Sequence, residues 1–133
     1  MKTLSAISTI LLLTACTATS QGPPQKCTIA ISPEPVPLNT PWNVLVSGLK
    51  SGQDNIVMGN GWNDGNWMYH KYYTASPNGN IAETPPPFQI QTVGGQTLDP
   101  TGQHDFQVLQ MTGGGGSKLL CDQWYNVGTA KKR

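Results

Sequence analysis

Two histidines, seven carboxylates and a dense run of aromatic rings are the side chains from which chemistry or recognition could be built. His70 and His104 could each act as a general base or a metal ligand. Zinc takes four protein ligands, or three and a water, and neither histidine has a second ligand at useful spacing. Both read as surface or strand-packing residues. Glu34, Asp54, Asp64, Glu83, Asp99, Asp105 and Asp122 fall singly on turns and strands, without the paired motif of carboxylate hydrolysis. Asn60 to Asn66 (NGWNDGN) sets oxygen donors at alternate positions, as a calcium loop does, but only Asp64 is charged and no glutamate closes the loop at the required offset. A glycine-permitted hairpin loop is expected there. The residues thus point to no cofactor, no metal and no enzyme. What stands out is Trp62, Trp67, Tyr69, Tyr72 and Tyr73, five rings within a stretch of twelve residues. On an alternating strand either Trp67, Tyr69 and Tyr73 or Met68, His70 and Tyr72 face the core. Rings of the inward set fill space. Those left outside can anchor a protein partner or stack on a glycan.

The amino terminus has a different chemistry. Met1-Lys2-Thr3 is a short positive start, and Leu4 to Leu13 is a mostly apolar stretch, too short for the roughly 20 residues that span a bilayer. This is the layout of an export signal. It ends in Leu13-Thr14-Ala15-Cys16, which resembles the lipobox of bacterial lipoproteins. The resemblance implies cleavage before Cys16, a diacylated and often N-acylated cysteine at the mature terminus, and a protein tethered by its lipid. Two or more acyl chains make such anchoring stable. Thr17, which is not aspartate, resembles the default for transfer to the outer membrane in enteric-type bacteria. With Cys16 given to lipid, Cys27 and Cys121 remain, and in an exported protein that pair reads as a disulfide. No nearby Cys-His arrangement argues for a catalytic thiol.

These features need elements to carry them. The chain has 133 residues, 37% hydrophobic and 11% charged, which suits one domain and excludes a large multidomain enzyme. Eight Lys and Arg stand against seven Asp and Glu, and removal of Lys2 with the leader balances them, so no electrostatic case for nucleic acid remains. Fifteen glycines and eleven prolines demand many turns. Residues 1–15 are read as the signal peptide, 16–26 as the lipidated cysteine and a flexible linker (TATSQGPPQK after the cysteine), and 27–130 as the folded domain. No helical rhythm runs through that domain. Short alternating runs predict strands over 27–31, 42–49, 56–58, 66–74, 88–93, 104–111 and 118–127, with turns at Ser51-Gly52, Pro77 to Asn80 and Gly113 to Gly116. About seven strands in such a length is the count of a β-sandwich.

Ser32-Pro33, the stretch from Pro37 to Leu49 (PLNTPWNVLVSGL) and Ser51-Gly52 resemble the opening of bacterial immunoglobulin-like modules, a proline-broken first strand and a second ending in Ser-Gly-apolar. Ser76 to Ile81 (SPNGNI) is similar to the turn before their middle strand, and Thr101 to Val108 (TGQHDFQV) to the start of their penultimate one. The resemblance implies an all-β, immunoglobulin-like β-sandwich of about seven strands, although the inter-sheet Cys, Trp, Cys spacing of antibody domains is missing. Two functions follow as expectations. One is an envelope-anchored, non-catalytic binding or structural module, an accessory part of a surface or secretion assembly with a protein partner. The other is a small blocking lipoprotein, of the phage-exclusion or immunity type, that binds a receptor or enzyme.

Overall fold

The computed structural model describes residues 25–61 and 64–128. Its regular structure is strand, apart from two 3₁₀ turns at Gly65–Trp67 and Gly113–Gly115. Numbered in chain order, β1 (Thr28–Ser32), β2 (Asn43–Ser47) and β5 (Ile81–Glu83) form a three-stranded antiparallel sheet with β2 in the middle. A four-stranded antiparallel sheet runs β4 (Tyr69–Tyr73), β3 (Ile56–Asn60), β8 (Gly102–Met111) and β9 (Ser117–Val127). A separate hairpin pairs β6 (Gln91–Val93) with β7 (Gln96–Leu98). The chain is all-β, and both sheets contribute to one apolar core, consistent with a β-sandwich.

Period-two alternation explains which side chains reach that core. β2 buries Val44 and Val46 and exposes Asn43 and Leu45, while β8 buries His104, Phe106 and Val108. Trp42, just ahead of β2, is the centre of the packing. Its ring stacks on Phe88 at 5.3 Å and Tyr125 at 5.4 Å and meets Phe106 edge-on at 6.4 Å, and its indole N–H donates to the Pro86 carbonyl at 3.0 Å. Such ring pairs contribute about 0.5 to 1.5 kcal/mol each beyond the area they bury.

The outer edge of β9 is covered by the start of the domain. Lys26 N–H donates to the Leu120 carbonyl at 2.9 Å, and Val36 N–H to the Asn126 carbonyl at 2.8 Å. The side chains of Gln25 and Glu34 accept from the Asp122 and Asn126 N–H groups. The expected disulfide is present between Cys27 and Cys121 and fastens the same seam. An edge strand that would otherwise offer free donors and acceptors to another chain is thereby occupied.

Two expectations are corrected. The described residues hold nine strands, seven in the two sheets and two in the hairpin, and the fifth sheet strand is not the expected one. Of 88–93 only Gln91–Val93 is strand, and it pairs in the hairpin. Phe88 instead closes the core behind Pro85-Pro86-Pro87, three residues that have no N–H to give a ladder. Ile81–Glu83 takes the place beside β2. The strand expected over 66–74 begins only at Tyr69, because Gly65–Trp67 turns first.

Candidate functional site

The aromatic run divides by parity. Tyr69 and Tyr73 both donate their hydroxyls to Glu83, Tyr69 to Oε2 at 2.7 Å and Tyr73 to Oε1, and Lys71 Nζ lies 3.7 Å from the same carboxylate. Glu83 keeps only 9% of its side chain exposed. Because β4 and β5 are edges of different sheets, this carboxylate ties the sheets together at their open side. Burial first, and then Glu83, push the Tyr69 phenol well above its ordinary range. Trp67 packs on the core with its ring 6.1 Å from Phe88. Trp67, Met68 and Tyr69 also border a cleft of about 160 Å³ against Pro85-Pro86-Pro87. Tyr72 points the other way and is 72% exposed. His70, on the same outward parity, is half-buried, and burial lowers its pKa. Of the other residues singled out in the sequence, Cys16 and Trp62 lie outside the described residues.

The outward face of the four-stranded sheet carries a second ring that the sequence reading passed over. Trp124 is 56% exposed and stands opposite Asp105 in the β8–β9 ladder, one step from the Gln107–Asp122 pair. Trp124, Asp105 and Gln107, with Gly61, Asp64, Gln103 and the buried His104, line a cleft of about 210 Å³. Gln107 Nε2 donates to Asp105 Oδ2 at 3.1 Å, and among the described residues nothing donates to Gln107 Oε1 or Asp105 Oδ1. A proton shared with Asp122 can serve Asp105 Oδ1. Consistent with that, burial first and the Asp122 carboxyl second raise the Asp105 pKa from 3.8 to about 6.

The cleft rests on a rigid frame. His104 Nδ1 is 2.9 and 2.7 Å from the two Asp64 carboxylate oxygens, and Nε2 is 2.7 Å from the Pro100 carbonyl. Both ring nitrogens face oxygen atoms of the protein. Asp64 is thereby committed to His104, and among the described residues no group of three metal-ligating side chains assembles around it. Tyr125 donates to Asn60 Oδ1, and Asn60 Nδ2 donates to the Trp67 carbonyl at 2.9 Å. The loop after β3 is thus held at both ends. Gly59 permits the close β3–β4 approach below the cleft: its φ is +156°, and a Cβ there would lie 1.5 Å from the Tyr69 carbonyl oxygen.

The arrangement can do recognition chemistry: an exposed indole beside carboxylates and side-chain amides on a sheet surface. No protein-family model matches the chain, and no curated protein matches it.

Proposed function

We propose that this chain is a bacterial lipoprotein, anchored through Cys16 at the cell envelope and most directly at the outer membrane, whose immunoglobulin-like sandwich is a non-catalytic binding module. The observation that carries the reading is the Trp124 cleft, where a ring that is 56% exposed stands beside the Asp105 and Gln107 side chains on the outward face of the sheet. Exposed aromatic anchors beside desolvated polar groups are what interface centres are made of. His104 supports a non-catalytic role, because its Nδ1 is turned to the Asp64 carboxylate and its Nε2 to the Pro100 carbonyl, both groups of the protein itself. The strand orders β1-β2-β5 and β4-β3-β8-β9 support the immunoglobulin-like assignment. For the anchor the support is the sequence Leu13-Thr14-Ala15-Cys16. The partner in this reading is an envelope protein. A glycan is the second candidate.

Capture from native envelopes tests the reading. Wild-type protein should recover a partner, and Trp124→Ala should lose about thirtyfold or more in affinity with its melting temperature unchanged. Mass spectrometry should find the mature terminus at an acylated Cys16. Equal recovery by Trp124→Ala would move the contact surface elsewhere, and an unmodified terminus at another residue would remove the anchor.

A further inference from the structure

The lysines are not spread over the domain. Lys26, Lys50 and Lys118 line one cleft of about 280 Å³ together with Gln53 and Gln110, and no carboxylate is among its lining residues. They converge because β1 begins, β2 ends, β8 ends and β9 begins at the same end of the sandwich. Two hydrogen bonds set the cleft's wall: Gln53 Nε2 donates to Gln110 Oε1 at 3.0 Å, and Lys50 N–H donates to Gln53 Oε1 at 3.2 Å. Among the described residues Lys71 is the lysine paired with a carboxylate, and these three are not. Asp54 sits on the neighbouring turn, where its Oδ1 accepts from Asn55 Nδ2. Asp64 and Asp105, with Glu34, lie toward the other end, where β3 ends, β8 begins and β1 ends. Among the described residues, this is therefore the end where lysines gather.

That end is also where residue 26 joins the domain to the stretch leading back to Cys16. We infer that the Lys26–Lys50–Lys118 end is a contact surface for the phosphate headgroups of an anionic bilayer. Three lysines lining one concavity bring like charge to one place, and an anionic phosphate beside them is favoured by that charge. The inference rests on the proposed anchor, because a tether of ten residues, at most about 35 Å long, keeps this end within reach of the lipid surface. Each lysine near an anionic leaflet strengthens binding about fivefold, and the effect is screened by salt.

The test uses the mature chain from residue 16, which holds the whole disulfide-closed core, with Cys16→Ser so that no acyl chain contributes. It is sedimented at low ionic strength with vesicles of equal phosphatidylglycerol and phosphatidylcholine, and with phosphatidylcholine alone. Binding is expected to the anionic vesicles only, to weaken with added salt, and to fall on the order of a hundredfold in the triple variant Lys26→Gln, Lys50→Gln, Lys118→Gln at unchanged melting temperature. Three results would overturn the inference: undiminished binding by the triple variant, loss of binding instead on neutralising Lys131, Lys132 and Arg133, or equal binding to phosphatidylcholine. Inorganic phosphate that shifts the amides of the cleft while vesicles do not sediment the protein would likewise overturn it, in favour of a free-anion site. Acylation of Cys16, read separately by mass, leaves these outcomes independent of the anchor.

Discussion

Trp42 and Trp124 carry the same ring in opposite surroundings, and the difference predicts how each responds to removal. Trp42 is enclosed by Phe88, Tyr125 and Phe106, so Trp42→Ala should cost about 3 to 5 kcal/mol in chemical denaturation. Trp124 and Tyr72 are mostly exposed, and their alanine variants should stay within about 0.5 kcal/mol of wild type. Asp105 gives a prediction in pH. Its folded pKa, about 6, lies above the ordinary 3.8, so the folded protein keeps a proton that the unfolded chain has released. Its contribution to stability is complete below the lower value and is lost as pH rises through the upper one. Asp105→Asn removes that dependence, and its melting temperature should gain on wild type as pH climbs through the same interval. Parallel curves for the two proteins would show that the carboxyl is not raised.

Elements are held to one another by few groups, and those groups are the sensitive ones. Glu83 joins β5 to β4 by accepting from two tyrosines, so Glu83→Ala should destabilise by about 2 to 4 kcal/mol and Glu83→Gln by clearly less, since its amide oxygen still accepts. Gly59→Ala would push a methyl into the Tyr69 carbonyl and should cost at least about 3 kcal/mol, with loss of amide protection along β3 and β4. Which elements the sequence made readable depends on their length and on what occupies the alternate positions. β2, β8 and β9 announce themselves because valines and rings recur at every second residue. Ile81–Glu83 shows one buried position in three residues, too little for a period, and its pairing is decided by β2 rather than by local sequence. Pro85 to Phe88 reads as a break followed by a strand, yet Trp42 draws Phe88 into the core without any ladder. Trp124 was legible in principle. A disulfide at Cys121 and a core ring at Tyr125 fix the inward parity of β9, which leaves Trp124 facing out. What alternation could not give is the company Trp124 keeps, because Asp64 and His104 are 40 residues apart in the chain and meet only through the fold.

The molecule is covered along the β9 edge and exposed on the outward face of its four-stranded sheet. The Cys27–Cys121 bridge spans 94 residues, and in the chain-entropy account its removal should cost about 4 to 5 kcal/mol, measurable as a drop in denaturant midpoint for Cys27→Ala, Cys121→Ala. With the β9 edge covered by residues 25–36, the outward face of the four-stranded sheet is the surface that presents both Tyr72 and Trp124. An anchored module that recognises an envelope partner should use that face. Hydroxyl-radical footprinting of the protein on intact envelopes and after detergent purification reads this directly, since an exposed indole is oxidised and a covered one is not. The account predicts that Trp124 is oxidised in the purified protein and protected on the envelope, while buried Trp42 stays unmodified in both. Equal oxidation of Trp124 in the two states would contradict it.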